Sequence, residues 1–447
     1  MGAFELSANV NVNNVFLVNY AELQGRLDPL FYNAVHGFSL VKTSYSVKKL
    51  SEVINMQRGR FGHRPRNDPK FYDGQYPFIQ TGDVVKASLT NEPITYTQTL
   101  NEFGLKTSRL FDKNVLVITI AANIGDTAIL DYPACFPDSL IGITPKTHAL
   151  TLNYLNVYFK FLKPYLEDLA PQSAQKNINY QQLSPVPIVV PPLAIQQKIS
   201  DLFQHSHSQK QQKEQEAQTL LNSIDGYLLN TLGITLPQQD NSLEKRMFTV
   251  PFSEMTGGSL SPDNFLKRMK LYSSSKYDFY SLDALASMYQ PQTITKQDML
   301  STGKYKVYGA NGLIGYFDKY NHQNAEVLVT CRGATCGEIN LSEPKSWITG
   351  NAMVVKLNVD FVSQSYLFEI LKCLDLGVVI TGSAQPQITR QNLKKFSIPV
   401  PPITKQIEIA DHISQIRAQA KQLQHEAAEV LATAKSEIER MILGESA

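Results

Sequence analysis

Two stretches of the chain carry an apolar stripe at helical spacing over about forty residues each. The first covers residues 193–232, with Ile195, Ile199, Leu202, Leu220, Ile224 and Tyr227 near a heptad seam whose middle, Ser206, Gln209 and Lys213, is polar. The second covers residues 403–443, with Ile407, Ala410, Ile413, Ile416, Ala420, Leu423, Ala427, Val430, Ala434, Ile438 and Met441 on its seam. Runs this long suit a coiled coil better than ordinary globular helices. Each stripe needs a partner, so the two helices are expected to pack on each other, with the alanines allowing close approach; two separate surface helices are the plainer alternative. Pro191-Pro192 and Pro401-Pro402 open the runs, because proline is tolerated at a helix entrance and not inside. Gly233 and Gly444 stop them. Ahead of each helix lies a region of short strand-like runs. Residues 115–120 and 327–330 are β-branched, apolar and bounded by turn residues, and read as buried strands. Asn311-Gly312 marks a tight turn.

The same grammar occurs twice. Val18-Asn-Tyr-Ala-Glu22-Leu23 returns as Val250-Pro-Phe-Ser-Glu254-Met255, an offset of 232. Val115-Leu-Val117 followed by Gly125 returns as Val327-Leu-Val329 followed by Gly337, at 212. Ser173-Ala-Gln175 returns as Ser383-Ala-Gln385, and the Pro191-Pro192 block with Gln196 returns as Pro401-Pro402 with Gln406, both at 210. Blocks in the same order at drifting offsets indicate a duplication with indels between them. Residues 1–17 have no counterpart in the second half.

Length and composition add limits. A chain of 447 residues suits two or more domains, and 43% hydrophobic with 18% charged residues is a globular composition. A net charge of +2 decides nothing about nucleic acid, so local clustering must. Cys135, Cys331, Cys336 and Cys373 form no Cys-x-x-Cys pair and read as reduced thiols and not as zinc ligands. No basic-then-apolar leader pattern is visible, and the longest apolar run, residues 115–122, is far short of a membrane span. The expectation is a soluble cytoplasmic protein.

No reaction chemistry emerges. Asp28-Pro29-Leu30-Phe31 approaches the Asp-Pro-Pro-Phe/Tyr loop of amino-methyltransferases but lacks the second proline and a Gly-rich cofactor turn. Gly309, Gly312 and Gly315 lack the Lys-Ser/Thr of a phosphate loop and read as a turn. Glu343-Pro-Lys345 has no upstream Asp to complete a nuclease set. His205 and His207 sit in the polar stretch of the first helix and read as solvated. No catalytic residue, cofactor or metal is expected.

Two variable globular regions, each closed by Pro-Pro-[Leu/Ile]-x-x-Gln and a long helix, resemble the specificity subunit of type I restriction–modification systems, from about Val18 to Leu443. Tyr76-Pro-Phe-Ile-Gln80-Thr-Gly82-Asp83 and Tyr308-Gly-Ala-Asn311-Gly312 also resemble parts of such target-recognition domains. The resemblance implies an α/β (mixed α+β) chain in which two target-recognition domains are separated by two long antiparallel helices with pseudo-twofold symmetry. The boundaries expected are 1–190 for the first domain with an N-terminal arm, 191–232 for the first helix, 233–400 for the second domain and 401–443 for the second helix. It further implies a non-catalytic subunit that recognises a bipartite site in double-stranded DNA. Two methyltransferase (modification) subunits would use S-adenosylmethionine to methylate adenine, and motor-nuclease (restriction) subunits would cleave. The helices would set the spacing between half-sites. A recognition subunit of a related restriction system and a scaffold that binds only protein remain alternatives.

Residues 42–70 hold eight Lys/Arg, namely Lys42, Lys48, Lys49, Arg58, Arg60, Arg64, Arg66 and Lys70, against Glu52 and Asp68. Such an excess is the footprint of phosphate binding, although a charge run is often only a solvated face. The second half offers Lys267, Arg268, Lys270 and Lys276, with Lys304, Lys306 and Arg332 near turns. If the halves read different half-sites, the shared blocks cannot carry base specificity. Readers should lie where the halves diverge, about 58–109 and 290–320. Gln57, Arg58, Arg60, Arg64, Gln80, Gln292, Asn311 and Arg332, in or near these stretches, are the candidates, because Arg, Asn and Gln can make paired hydrogen bonds to base edges.

Overall fold

The computed structural model describes residues 43–62, 67–170, 177–235, 274–295, 297–374, 376–382 and 385–445. Arg64, Arg66, Lys267 and Lys270 lie outside these, as do Lys42, Arg268, Asp28-Pro29 and the first Ser-Ala-Gln block. The chain divides into two compact units, Met1–Lys213 with His425–Ala447, and Glu214–Gln424.

In the first unit, strand β1 (Ser46–Lys49), one helical turn α1 (Leu50–Val53) and strand β2 (Ile54–Arg58) come first. They lead into β3 (Tyr72–Phe78), α2 (Thr81–Thr90), β4 (Gln98–Leu100), α3 (Glu102–Thr107) and β5 (Leu110–Phe111). Strands β6 (Val115–Thr119), β7 (Thr127–Leu130), β8 (Ala134–Cys135) and β9 (Leu140–Pro145) follow, then α4 (Leu152–Leu169), α5 (Tyr180–Leu183) and β10 (Pro187–Val190). The main sheet has the order β2-β9-β6-β7 and is antiparallel throughout. Every residue of β6 is buried. Strand alternation explains this: Leu116 and Ile118 enter the core shared with α4, whereas Val115 and Val117 enter a second core with Ile79 and Val84. A sheet covered on both faces selects a continuous apolar run, which is the pattern the sequence shows.

The second unit repeats the plan. Strand β11 (Phe279–Ser281), α7 (Leu282–Leu285) and β12 (Ala286–Tyr289) precede β13 (Tyr305–Gly309) and β14 (Gly312–Phe317). Then come β15 (Val327–Thr330), β16 (Ile339–Leu341), β17 (Trp347–Ile348), β18 (Ala352–Leu357), α8 (Gln364–Cys373), β19 (Ile380–Thr381), β20 (Gln387–Ile388), α9 (Arg390–Lys394) and β21 (Ser397–Pro399). Its main sheet, β12-β18-β15-β16, matches the first strand for strand. So do the ribbons β1-β10 and β11-β21, and the parallel pairs β3-β8 and β13-β17. The offset is 232 at Leu50/Leu282 and 212 at Val115/Val327. Most of the drift therefore falls between β2 and β6, where the first unit builds α2 and α3 and the second builds the β13–β14 hairpin, and two residues of it fall after Gly125.

The long helices are α6 (Leu193–Leu232) and α10 (Ile403–Leu443), with the bounds that the prolines and glycines indicate. They are antiparallel, and each contributes to both units. In the first, Ile199 and Phe203 share a core with Ile438 and Ile442, and Lys213 Nζ donates to Glu426 Oε2 at 2.6 Å. In the second, Ile224, Leu228 and Leu232 join Ile409, Ile413 and Ile416. Two details of the seam differ from the expectation. Phe203 is buried where Leu202 was placed, and Ile407 is 49% exposed while Ile409 is fully buried. Stepping back from Ile413 by four residues reaches 409, not 407. His207 also departs from the solvated reading: its ring packs tilted against that of Phe203, centroids 4.4 Å apart, one helical turn away.

The duplicated glutamines explain the Pro-Pro blocks. Buried Gln196 donates to the carbonyls of Ala149 (2.7 Å) and Pro191 (2.8 Å) and accepts from the Thr151 amide (2.9 Å). Buried Gln406 does the same with Phe361, Pro401 and Ser363, each at 2.8 Å. Thr151 and Ser363 are the N-caps of α4 and α8, so each glutamine fastens the entrance of a long helix to the start of the helix covering the sheet. The helix ends are tied alike. Gly233 and Gly444 take φ of 65° and 73°. Past the first, the Lys276 amide donates to Leu232 O at 2.9 Å; past the second, the Ser44 amide donates to Leu443 O at 3.4 Å.

Candidate nucleic-acid interface

In the first unit the chain leaves β2 pressed against the 136–138 turn. A side chain at Gly59 would place its Cβ 2.3 Å from Pro137 O, so only glycine permits this approach. The contact fixes the arginines around it. Arg58 Nε donates to Asp138 O (2.5 Å), the Arg60 amide to Phe136 O (2.9 Å), and Arg109 Nη1 to Arg58 O (2.7 Å). Arg58 lines a cleft of about 290 Å³ with Met56, Ile120, Asn179, Tyr180 and Gln181.

The other candidates of this unit are placed elsewhere. Lys48 and Lys49 lie exposed on β1, at the opposite end of β2 from Arg58. Gln57 is exposed, but strand alternation turns it to the face opposite Arg58. Lys70 pairs with Asp68 at 2.9 Å and sits over the Phe71 ring. Gln80 caps α2: its amide donates to Asp83 Oδ2 (2.8 Å), and its side chain donates to Gln98 (2.9 Å).

In the second unit, Ala310 and Asn311 form the two-residue loop between β13 and β14. Gly312, at φ 93°, opens the returning strand, so the turn lies one residue earlier than Asn-Gly indicated. Behind the loop is a cleft of about 400 Å³ lined by Gln290, Asn311, Ile314, Arg332, Gly350 and Asn351. Asn311 Oδ1 accepts from Thr335 Oγ1 at 2.6 Å. A Cβ on Gly350 would meet Pro291 O at 2.7 Å, which brings the neighbouring exposed Gln292 to the same rim. Lys304 is not brought in; it precedes the far end of β13, 5.2 Å over the Tyr305 ring.

The two clefts occupy the same place in the repeated fold. Arg58 and Gln290 correspond at the offset of 232, and Ile120 and Arg332 at 212. The position is shared and the lining is not. Arg109, Tyr180, Gln290 and Asn351 are lining or anchoring residues that the sequence did not single out. Arg109 sat at the border of the divergent stretch, and Tyr180 only five residues past the shared Ser173-Ala-Gln175 block. Among the described residues no group of His, Cys, Asp or Glu is placed to hold a metal. Burial pushes the Cys331 thiol up to about 11, which makes it a poor nucleophile.

A family model described as the type I restriction modification DNA specificity domain matches residues 43–221 and again 274–432. The chain belongs to this family. The matches begin just before β1 and β11, so each unit is built around one specificity domain. The EcoprrI specificity subunit of Escherichia coli is 29% identical over 106 residues, 24% of this chain and 26% of that protein. The MjaX specificity subunit of Methanocaldococcus jannaschii is 25% identical over 186 residues, 39% of this chain and 42% of that one. The chain thus spans less than half the length of these relatives. A chain from a solved structure on complex assembly and conformational transition of the type I R-M system shares the fold. Its TM-score is 0.60 at 13% identity, over 90% of this chain and 98% of that one.

Proposed function

We propose that the chain is the specificity subunit of a type I restriction–modification complex, with each specificity domain reading one half of a bipartite site in double-stranded DNA. It performs no chemistry itself: two modification subunits methylate adenine, and motor-nuclease restriction subunits cleave. The observation that carries the reading is the pair of clefts, equivalent in position and different in lining. Two domains with one scaffold and different readers suit a split site with unlike halves. Arg58, Gln292, Asn311 and Arg332 are the base readers in this reading. Lys48, Lys49, Arg60, Lys70 and Lys304 supply phosphate contacts, as Arg109 does from behind Arg58. No helix among the described residues is long and apolar enough to cross a membrane.

Mapping methylated adenines in a host that carries the chain and its modification subunits tests this. The expected result is a split motif that disappears on deletion of the chain. Exchanging residues 46–186, which carry Arg58 and the whole lining of its cleft, for the matching stretch of another specificity subunit should change one half-site and leave the other. An unchanged methylome after deletion would overturn the proposal.

A further inference from the structure

We infer that the cleft of the second specificity domain reads a thymine, through Ile314 and Asn311; the inference rests on the DNA-recognition reading above. Ile314 stands on β14 with 46% of its surface exposed, although it lines a cleft whose other side chains are largely polar. It is held in place. Its Cδ1 and Cγ2 lie 3.1 Å from where a Cβ of Gly309 would be, so the missing side chain on β13 makes the seat for it. Its neighbour Leu313 is 48% exposed, so the hairpin offers an apolar edge next to the loop. Asn311 stands in that loop, on the same cleft. Thr335 donates to its oxygen and thereby orients the amide. The two N–H donors of Asn311 have no partner among the described residues.

The site therefore presents a hydrogen-bond donor beside an apolar surface. In the major groove, thymine presents the complement, the O4 acceptor beside the C5 methyl. Cytosine meets the same site with an N4 donor facing a donor, and it has no methyl. Neither purine edge carries a methyl group. Burial of Ile314 against a methyl also removes apolar surface that the free protein leaves in water.

Deoxyuridine separates the methyl from everything else, because it lacks only that group. The assembled complex with its modification subunits is first presented with a pool of random-sequence duplexes. The half-site of the second domain is the one that stays unchanged when residues 46–186 are exchanged. At one A·T pair of that half-site, replacing thymine by deoxyuridine should weaken binding roughly four-fold, the worth of one buried methyl. Ile314→Ala should weaken binding to the thymine duplex and erase the difference between thymine and deoxyuridine. Asn311→Asp keeps an oxygen for Thr335 but exchanges the donor for acceptors, and should move the preference at that pair from thymine to cytosine. If deoxyuridine at every thymine of that half-site binds as tightly as thymine, the inference is overturned while DNA recognition stands. If no duplex is enriched from the pool, both fall together.

Discussion

Gln196 shows how one buried amide can hold a motif in place. Replacing it by leucine leaves the Thr151 amide and the carbonyls of Ala149 and Pro191 without this partner, the last of them buried and the others partly so at the hydrogen bond. Gln196→Leu should cost about 2–4 kcal/mol, since each orphaned buried group carries its own desolvation penalty. Urea unfolding checks this, with Gln197→Leu on the exposed neighbour as a near-neutral control. The glutamine was legible as a repeated letter, and its role was not. Its partners at 149 and 151 lie more than forty residues away, and only the fold brings them near. His207 was misread for a similar reason. Burial, then Lys160 and Lys210, lower its pKa to about 4, so the ring is neutral at pH 7. In the unfolded chain it titrates near 6.5, so between those values the unfolded state binds more protons. Stability contributed by the neutral ring is present above about pH 6.5 and is lost as pH falls toward 4. The ring keeps a solvent-facing edge, which limits the effect to about 1–2 kcal/mol. Unfolding at pH 7 and at pH 4.5 should show His207→Gln losing less stability than the parent over that interval; equal losses would remove His207 as a cause.

Position 417 of α10 corresponds to 207 of α6 at the offset of 210, and the duplicated helices use it differently. Arg417 reaches α8 and donates through both terminal nitrogens to the carboxylate of buried Glu369, at 2.7 Å from Nη2 to Oε2. Arg417→Met strands that carboxylate and should destabilise the second unit by about 3–5 kcal/mol. Adding Glu369→Met should restore much of the loss, because two packed apolar side chains no longer hide a charge. A double mutant no more stable than the single would show that the helix contact, and not the stranded charge, is what failed. Local signals made the elements legible at this scale. Proline marks a helix entrance, glycine in a left-handed turn marks its end, and β-branched runs mark strands. The seam near Ile407 and the hairpin register were not legible, because partners distant in sequence select them.

Across the whole chain, the duplication was the most informative thing to read, since it sorted shared scaffold from divergent layer before any contact was known. Arg58 and Asn311, which line the two clefts, fall in the divergent stretches it marked. Gln290 and Asn351 were not singled out, because β12, β15 and β18 assemble their cleft from pieces some sixty residues apart. The tie between Ser44 and the end of α10 has one more consequence. It matches the tie between Lys276 and the end of α6, and each tie lies within one unit, the second for Lys276 and the first for Ser44. The two ties occupy equivalent places in the repeated plan. Neither domain then needs to come first in the chain. A circular permutant running 274–445, a short linker and 43–235 should fold with one cooperative transition. It should direct methylation to the same split sequence as the parent, with neither half-site altered. Loss of cooperative folding, or a changed motif, would show that the two ties are not interchangeable.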